Sequence, residues 1–185
     1  MVDEALGNGV GRDLKAEVIE EFDESFDELF EKVASKVSCT PEKDSAFLRW
    51  RYGPGSPQFP VTVLGVKEGE TLLGYAVLMV TLTGQDGNIL DLATLPERRD
   101  VAQALLRRSV RFFRQAGVDI VRYRFLESPT SPRSRDLRRL GFFYRKGRRN
   151  SLLVKFADQD LHKMASDIAN WSYTVGDGEA SFWTR

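Results

Sequence analysis

The sequence predicts an α/β protein with a central mixed sheet of about six or seven strands flanked by helices, and three stretches carry that reading. Asn88 to Leu95 is a short apolar run with the length of a buried strand, stopped by Pro96. Val101, Ala102, Leu105, Leu106, Ser109, Phe112 and Phe113 then recur at the three-to-four spacing of an amphipathic helix, which Gly117 closes. Val118 to Leu126 follows as another strand. A strand, a helix of about Asp100 to Gln115 and a second strand in that order imply a crossover between parallel neighbours.

The other elements follow in chain order. Residues 1 to 14, with Gly7, Gly9 and Gly11, read as a flexible leader, and residues 15 to 185 as a single domain. Phe22, Phe26, Leu29, Phe30, Val33 and Val37 mark an amphipathic helix of about four turns. Asp44 to Tyr52 is a shorter helix, ended by Gly53-Pro54-Gly55-Ser56-Pro57. Val61 to Lys67 and Leu72 to Thr83 are antiparallel strands turning at Glu68-Gly69-Glu70. Thr83-Gly84-Gln85-Asp86-Gly87 turns the chain into the strand at Asn88. A Pro-bounded basic helix ends in Leu140-Gly141-Phe142-Phe143, and Asn150 to Phe156 is a further strand. Asp158 caps a late helix, and the aromatics of the tail are spaced to pack back onto the body.

Composition bounds the function. Apolar content of 42% and charged content of 29% are those of a soluble globular protein, and no run approaches a membrane span. The acidic N-terminus is not a signal peptide, so the expected compartment is the cytoplasm. A lone Cys39 allows neither a disulfide framework nor a zinc cluster within one chain, and no metal is expected. His162, the one histidine, lies in a polar setting unsuited to a hydrolase triad.

A net charge of zero hides an asymmetry. Residues 1 to 31 hold eleven acids against Arg12 and Lys15, whereas residues 98 to 149 hold sixteen Lys or Arg against four acids. The two regions can compensate one another within the chain or across a dimer, or the basic face can attract a polyanion. Nothing has the pattern of an aromatic-interleaved RNA platform or a recognition helix, so no nucleic-acid partner is indicated.

The loop entrance Leu95-Pro96-Glu97-Arg98-Arg99 and the helix end Leu137-Arg138-Arg139-Leu140-Gly141-Phe142, set in this order of elements, resemble the core of the GNAT N-acetyltransferase superfamily. The resemblance spans roughly Val61 to Phe156. It implies an acyl-CoA-dependent N-acyltransferase taking acetyl-CoA as co-substrate and a small-molecule or amine-bearing acceptor. It assigns backbone contacts with the pantetheine arm to Ala93, Thr94 and Leu95, and the pyrophosphate to Arg98, Arg99, Val101, Ala102 and Gln103. The family loop usually carries several glycines before its helix. Here Pro96-Glu97-Arg98-Arg99 runs directly into Asp100-Val101-Ala102-Gln103. Phosphate-cradling amides converge most readily on glycine backbone, and Asp100 competes with any anion at that helix start.

Acyl transfer to an amine needs a base and benefits from an acid near the leaving thiolate. Asp91 interrupts an otherwise apolar strand, where desolvation would raise its pKa toward a base's range. Alternatively it faces a polar strand surface or bonds a backbone amide. Glu127, at the end of the next strand, is a second candidate. The family tyrosine four residues before the glycine of Leu-Gly-Phe is replaced by Leu137. Asp44 to Tyr52 matches the opening of the degenerate half of tandem GNAT-like proteins, which suggests a second GNAT-like domain or a homodimer as partner. In that segment Trp50 is expected to be buried, with Arg49 or Arg51 aimed at the acceptor side. Three readings follow: an N-acyltransferase, a catalytically silent GNAT-like domain that binds a substrate or protein partner, and a polyanion-binding module.

Overall fold

The structure is a computed structural model that describes residues 14–145, 151–179 and 181; nearly all of the expected leader, residues 1 to 13, lies outside the described residues. One five-stranded sheet runs through it in the order β1 (Glu17–Ile19), β2 (Thr62–Glu68), β3 (Thr71–Val80), β4 (Asp86–Thr94) and β5 (Ile120–Tyr123). Neighbours are antiparallel except β4 and β5, which are parallel and joined by helix α3 (Arg99–Ala116). The expected crossover is therefore present. Gly117, at φ 74°, takes the left-handed conformation that ends α3.

Among the described residues the sheet has five strands rather than the expected six or seven, with one expected strand absent and one unexpected strand gained. Residues 151 to 156 lie in no ladder, and Asn150 falls outside the described residues. The three-residue β1 joins the edge by pairing Val18 with Leu64, a strand too short to show a period in the sequence.

Helices cover both faces. On one, α1 (Glu24–Ala34) and α2 (Ser45–Tyr52) pack Phe26, Leu29, Leu48 and Tyr52 against Tyr75, Val77, Met79 and Leu90. On the other, α3 inserts Val101, Leu105, Leu106 and Phe113 against Leu64, Ala76, Leu78 and Ile89, beside Leu137 of α4 (Ser134–Arg139). Asp23 and Asp44 cap α1 and α2 through Ser25 N–H and Phe47 N–H, and Asp158 caps α5 (Gln159–Ser166) through Leu161 N–H. No described helix is long and apolar enough to cross a membrane.

The feature that positions the site is a break in the sheet. Val77 pairs with Asp91 but Leu78 pairs with Ile89, so Leu90 is an extra residue in β4. Such a bulge bends the strand and turns consecutive side chains to one face. Here Leu90 and Asp91 both face the side of α1 and α2. The parallel pairing with β5 ends at the same place, with Ile89 opposite Tyr123. Beyond it β4 continues to Thr94 paired with β3 but not with β5, and a wedge opens between β4 and β5.

Phe113 fills the other face, fully buried beneath β4, where a Cβ on Gly87 would approach its ring to 2.4 Å. Phe113→Ala should cost about 3–5 kcal/mol of unfolding free energy in urea titration.

Candidate functional site

The wedge is filled by the chain itself. Residues 172 to 178, here called the strap, return from the C-terminal side and run antiparallel to the extension of β5. Leu126 N–H donates to the Tyr173 carbonyl at 2.8 Å and Val175 N–H to the Arg124 carbonyl at 3.0 Å. Contact with the bulge is backbone to backbone. A Cβ on Gly176 would lie 2.7 Å from the Leu90 carbonyl oxygen and 2.1 Å from the Tyr52 hydroxyl, so this position requires glycine for its close approach. Arg51 of α2 fixes the strap from behind, donating to the carbonyls of Gly176 and Gly178 and to the Ser181 hydroxyl, each at 2.8 Å.

A polar cluster sits at the centre of this closure. Asp91 is 1% exposed. Its Oδ1 accepts from Lys43 Nζ at 2.8 Å and from Thr174 Oγ1 at 3.1 Å, and its Oδ2 accepts from Tyr75 Oη at 3.0 Å. Lys43 also forms an ion pair with Asp177, 3.0 Å from its Oδ1. Asp177 in turn holds the strap's own turn, accepting from Thr174 N–H at 2.7 Å, and its carboxylate and that of Asp91 share the single Thr174 hydroxyl proton, each 3.1 Å from Oγ1. One buried ammonium thus serves two buried carboxylates contributed by a strand and the strap.

The electrostatics follow from that arrangement. Burial raises the Asp177 pKa and the neighbouring Asp91 raises it further, against the pull of Lys43. Burial disfavours the Lys43 charge, but Asp177 and Asp91 together outweigh this and hold its pKa above the ordinary 10.5. The phenols of Tyr52, Tyr75 and Tyr123 are pushed well up by burial and then by Asp91. The lysine and the three phenols therefore keep their protons across the neutral range. Asp91, the expected base, is engaged by three donors and closed off from solvent, and through Thr174 it is bonded to the strap.

At the other end of β4 a polar cavity of about 340 Å³ lies between the starts of α3 and α4, lined by Thr94, Arg98, Arg99, Glu127, Arg133 and Asp136 among others. Of the expected pyrophosphate positions, Arg98, Arg99 and Ala102 line it and Val101 and Gln103 do not, and the side-chain donors of both arginines are already engaged. Arg99 makes a double contact with the buried Asp136 carboxylate at 2.9 and 3.0 Å, and Gln103 Nε2 joins it at 3.3 Å. Arg98 grips Asp100, whose pKa is lowered first by that bond and also by the backbone amides at the helix start. The Asp100 carboxylate therefore places a negative charge in the first turn of α3, where it disfavours a bound anion. Val101 and Ala102 are buried against the sheet.

The pantetheine positions are committed too. Thr94 N–H donates to the Thr130 carbonyl at 3.1 Å, and Leu95 N–H donates to the Leu73 carbonyl at 2.8 Å, while Ala93 is buried beside Tyr75, its partner in the ladder. In the form described, the residues assigned to acetyl-CoA by resemblance do not fit it. Its arm would need the wedge that the strap occupies, and its pyrophosphate would meet the Asp100 carboxylate in the first turn of α3.

The remaining expected residues are dispersed. Glu127 is exposed on the cavity rim and accepts from Ser134 Oγ at 2.6 Å and Ser134 N–H at 3.2 Å, bracing the start of α4. Arg49 is tied to the Phe22 carbonyl at 2.7 Å. Trp50 is 66% exposed rather than buried. The reason is angular: at about 100° per residue, Leu48, Arg51 and Tyr52 share the inward face of α2, and Trp50 falls opposite them. Lys43, Thr174, Asp177 and Asp136 carry no pattern in the sequence that marks them as site residues. The signal available for Asp177 is its place between Gly176 and Gly178, where a carboxylate can lie close to other backbone.

No protein-family description matches the chain, and no curated protein matches it. Among solved structures it is similar to an aminoglycoside acetyltransferase from an uncultured soil metagenomic sample, crystallised in complex with trehalose. Identity is 16% and the TM-score 0.46, over 82% of this chain and 100% of that one. It is also similar to a ribosomal-protein-alanine N-acetyltransferase from Brucella melitensis biovar Abortus 2308. There identity is 13% and the TM-score 0.44, over 76% of this chain and 99% of that one.

Removing Lys43 leaves two carboxylates buried without their cation, so Lys43→Met should cost about 3–5 kcal/mol. The pH dependence has a definite sign. A raised Lys43 pKa contributes stability that is complete below pH 10.5 and falls away as pH climbs above it. Stability measured across the alkaline range should show that decline in the wild type and a shallower one in Lys43→Met.

Proposed function

We propose that the chain is a GNAT-like domain that binds a ligand or a protein partner without carrying acetyl-CoA in the gap between β4 and β5. The observation that carries this reading is the strap, whose Gly176 backbone packs directly on the Leu90 bulge where a pantetheine arm would have to pass. Two further observations support it. Asp100 neutralises the start of α3, and both Arg98 and Arg99 are engaged by carboxylates of the chain. The resemblance to GNAT enzymes then describes the scaffold, and scaffold and activity separate readily, because function resides in the site grafted on a fold. The 340 Å³ cavity, with both carboxylates and arginines on its wall, suits a small polar ligand of mixed charge.

A second reading keeps acyl transfer, with the strap displaced to admit the cofactor. The observation in its favour is that same cavity, which already lies beside α3 and the end of β4. Under it Glu127, on the rim, is the carboxylate that an acceptor amine reaches, since Asp91 is closed off. The two readings differ in what happens on titration.

Calorimetric and thermal-shift titration with acetyl-CoA separates them. The binding-domain reading expects no saturable heat and no rise in melting temperature up to millimolar ligand, since even a dissociation constant of 1 mM corresponds to about 4 kcal/mol of binding free energy. Saturable binding that Gly176→Val strengthens, by forcing the strap from the bulge, would instead establish the second reading.

A further inference from the structure

Among the described residues, large exposed apolar side chains cluster in two segments outside helices and strands, residues 142–145 and 151–156. Phe143 is 86% exposed, Tyr144 81% and Leu153 90%. Neither segment forms a helix or strand. Yet Ser151-Leu152-Leu153-Val154-Lys155-Phe156 has the composition of a strand, without glycine or proline. The sheet ends at β5, which pairs with β4 along one edge and with no described strand along the other. An open edge presents a row of backbone donors and acceptors and is ordinarily paired, covered or charged. Ile120 of β5 is itself 51% exposed.

The chain thus holds a strand-forming segment with no edge and, among the described residues, an edge with no strand. Two copies related by a two-fold axis satisfy both at once, because each supplies what the other lacks. We propose that residues 151–156 of one copy add to the β5 edge of a second copy, and the reverse, giving a strand-exchanged dimer. Phe143 and Tyr144 cover the junction. Their rings, with Leu153, Ile120 and Phe156, bring on the order of 600 Å² of side chain from each copy. Backbone pairing adds to this, which approaches the ~800 Å² per partner of a stable interface. The contact segments carry few charges: Arg122, the cation of β5, is already ion-paired with Asp86, and Arg145 and Lys155 are the charges of 142–145 and 151–156.

Sedimentation of the full chain across about 1–100 µM tests the dimer, since assembly depends on concentration. The expected species has twice the 21.0 kDa of one chain. Leu153→Lys combined with Phe143→Ser should convert it to monomer with an unchanged circular dichroism spectrum, because both side chains are exposed in one copy. A wild-type monomer throughout that range overturns the proposal, and so does a dimer that survives the double substitution. Cysteine pairing identifies the contact independently, in a Cys39→Ser background. Chains carrying Ile120→Cys mixed with chains carrying Leu153→Cys should form a disulfide between copies. A disulfide formed within a single chain carrying both substitutions, in preference to one between copies, shows that the segment folds back on its own edge and overturns the exchange.

Discussion

A parallel strand pair that separates while one strand runs on leaves an apolar wedge and a row of backbone groups that must be satisfied. In this protein the separation is set by the single extra residue Leu90, after which β5 no longer follows β4. Most of what is distinctive in the structure answers that break. The strap supplies backbone partners to Arg124 and Leu126, Gly176 seals the bulge, and Thr130 takes the amide of Thr94. The Lys43 cluster is the polar consequence. A carboxylate turned inward by the bulge cannot stay buried alone, since isolated buried charge is far costlier than a paired one. Lys43 from the loop between α1 and α2 meets it, and Asp177 ties the same cation to the strap. The cluster therefore joins three parts of the chain that no hydrophobic contact alone would hold in register.

The start of α3 repeats this pattern on a smaller scale. A helix N-terminus next to a cavity would attract an anion. Here Asp100 supplies the anion from within the helix itself, Arg98 grips it, and Asp136 occupies Arg99. Electrostatic demand that an external phosphate could meet is met internally at both arginines. The wedge and the helix start are thus closed by independent groups, and removing one closure leaves the other in place.

Local periodicity makes much of this fold legible in the sequence alone. The runs of β2, β3 and β4, the apolar stripe of α3, the Gly117 stop and the Asp44 and Asp158 caps all have short-range signatures, and the elements lie within a few residues of the positions those signatures predict. What the sequence does not reveal is long-range. Lys43 and Asp91 are 48 residues apart, and Thr174 and Asp91 are 83 apart, with no period linking them. Asp91 is legible as an unusual carboxylate in an apolar strand, but its partners Lys43, Tyr75 and Thr174 are not. Trp50 escapes prediction because an eight-residue helix has too few turns for its apolar face to be read from spacing. Residues 151 to 156 have a strand's composition, and composition cannot name the edge that a strand pairs with.

The central claim is that the strap is an integral part of the sheet and not a removable cover. Native-state amide hydrogen exchange followed by NMR tests it most directly, because exchange resolves local opening from global unfolding. The amides of Leu126, Val175 and Thr94, which bond to Tyr173, Arg124 and Thr130, should exchange only through global unfolding, together with those of β3 and β4. Exchange of these three amides through a local opening several kcal/mol below the global value, with β3 and β4 still protected, would contradict the claim.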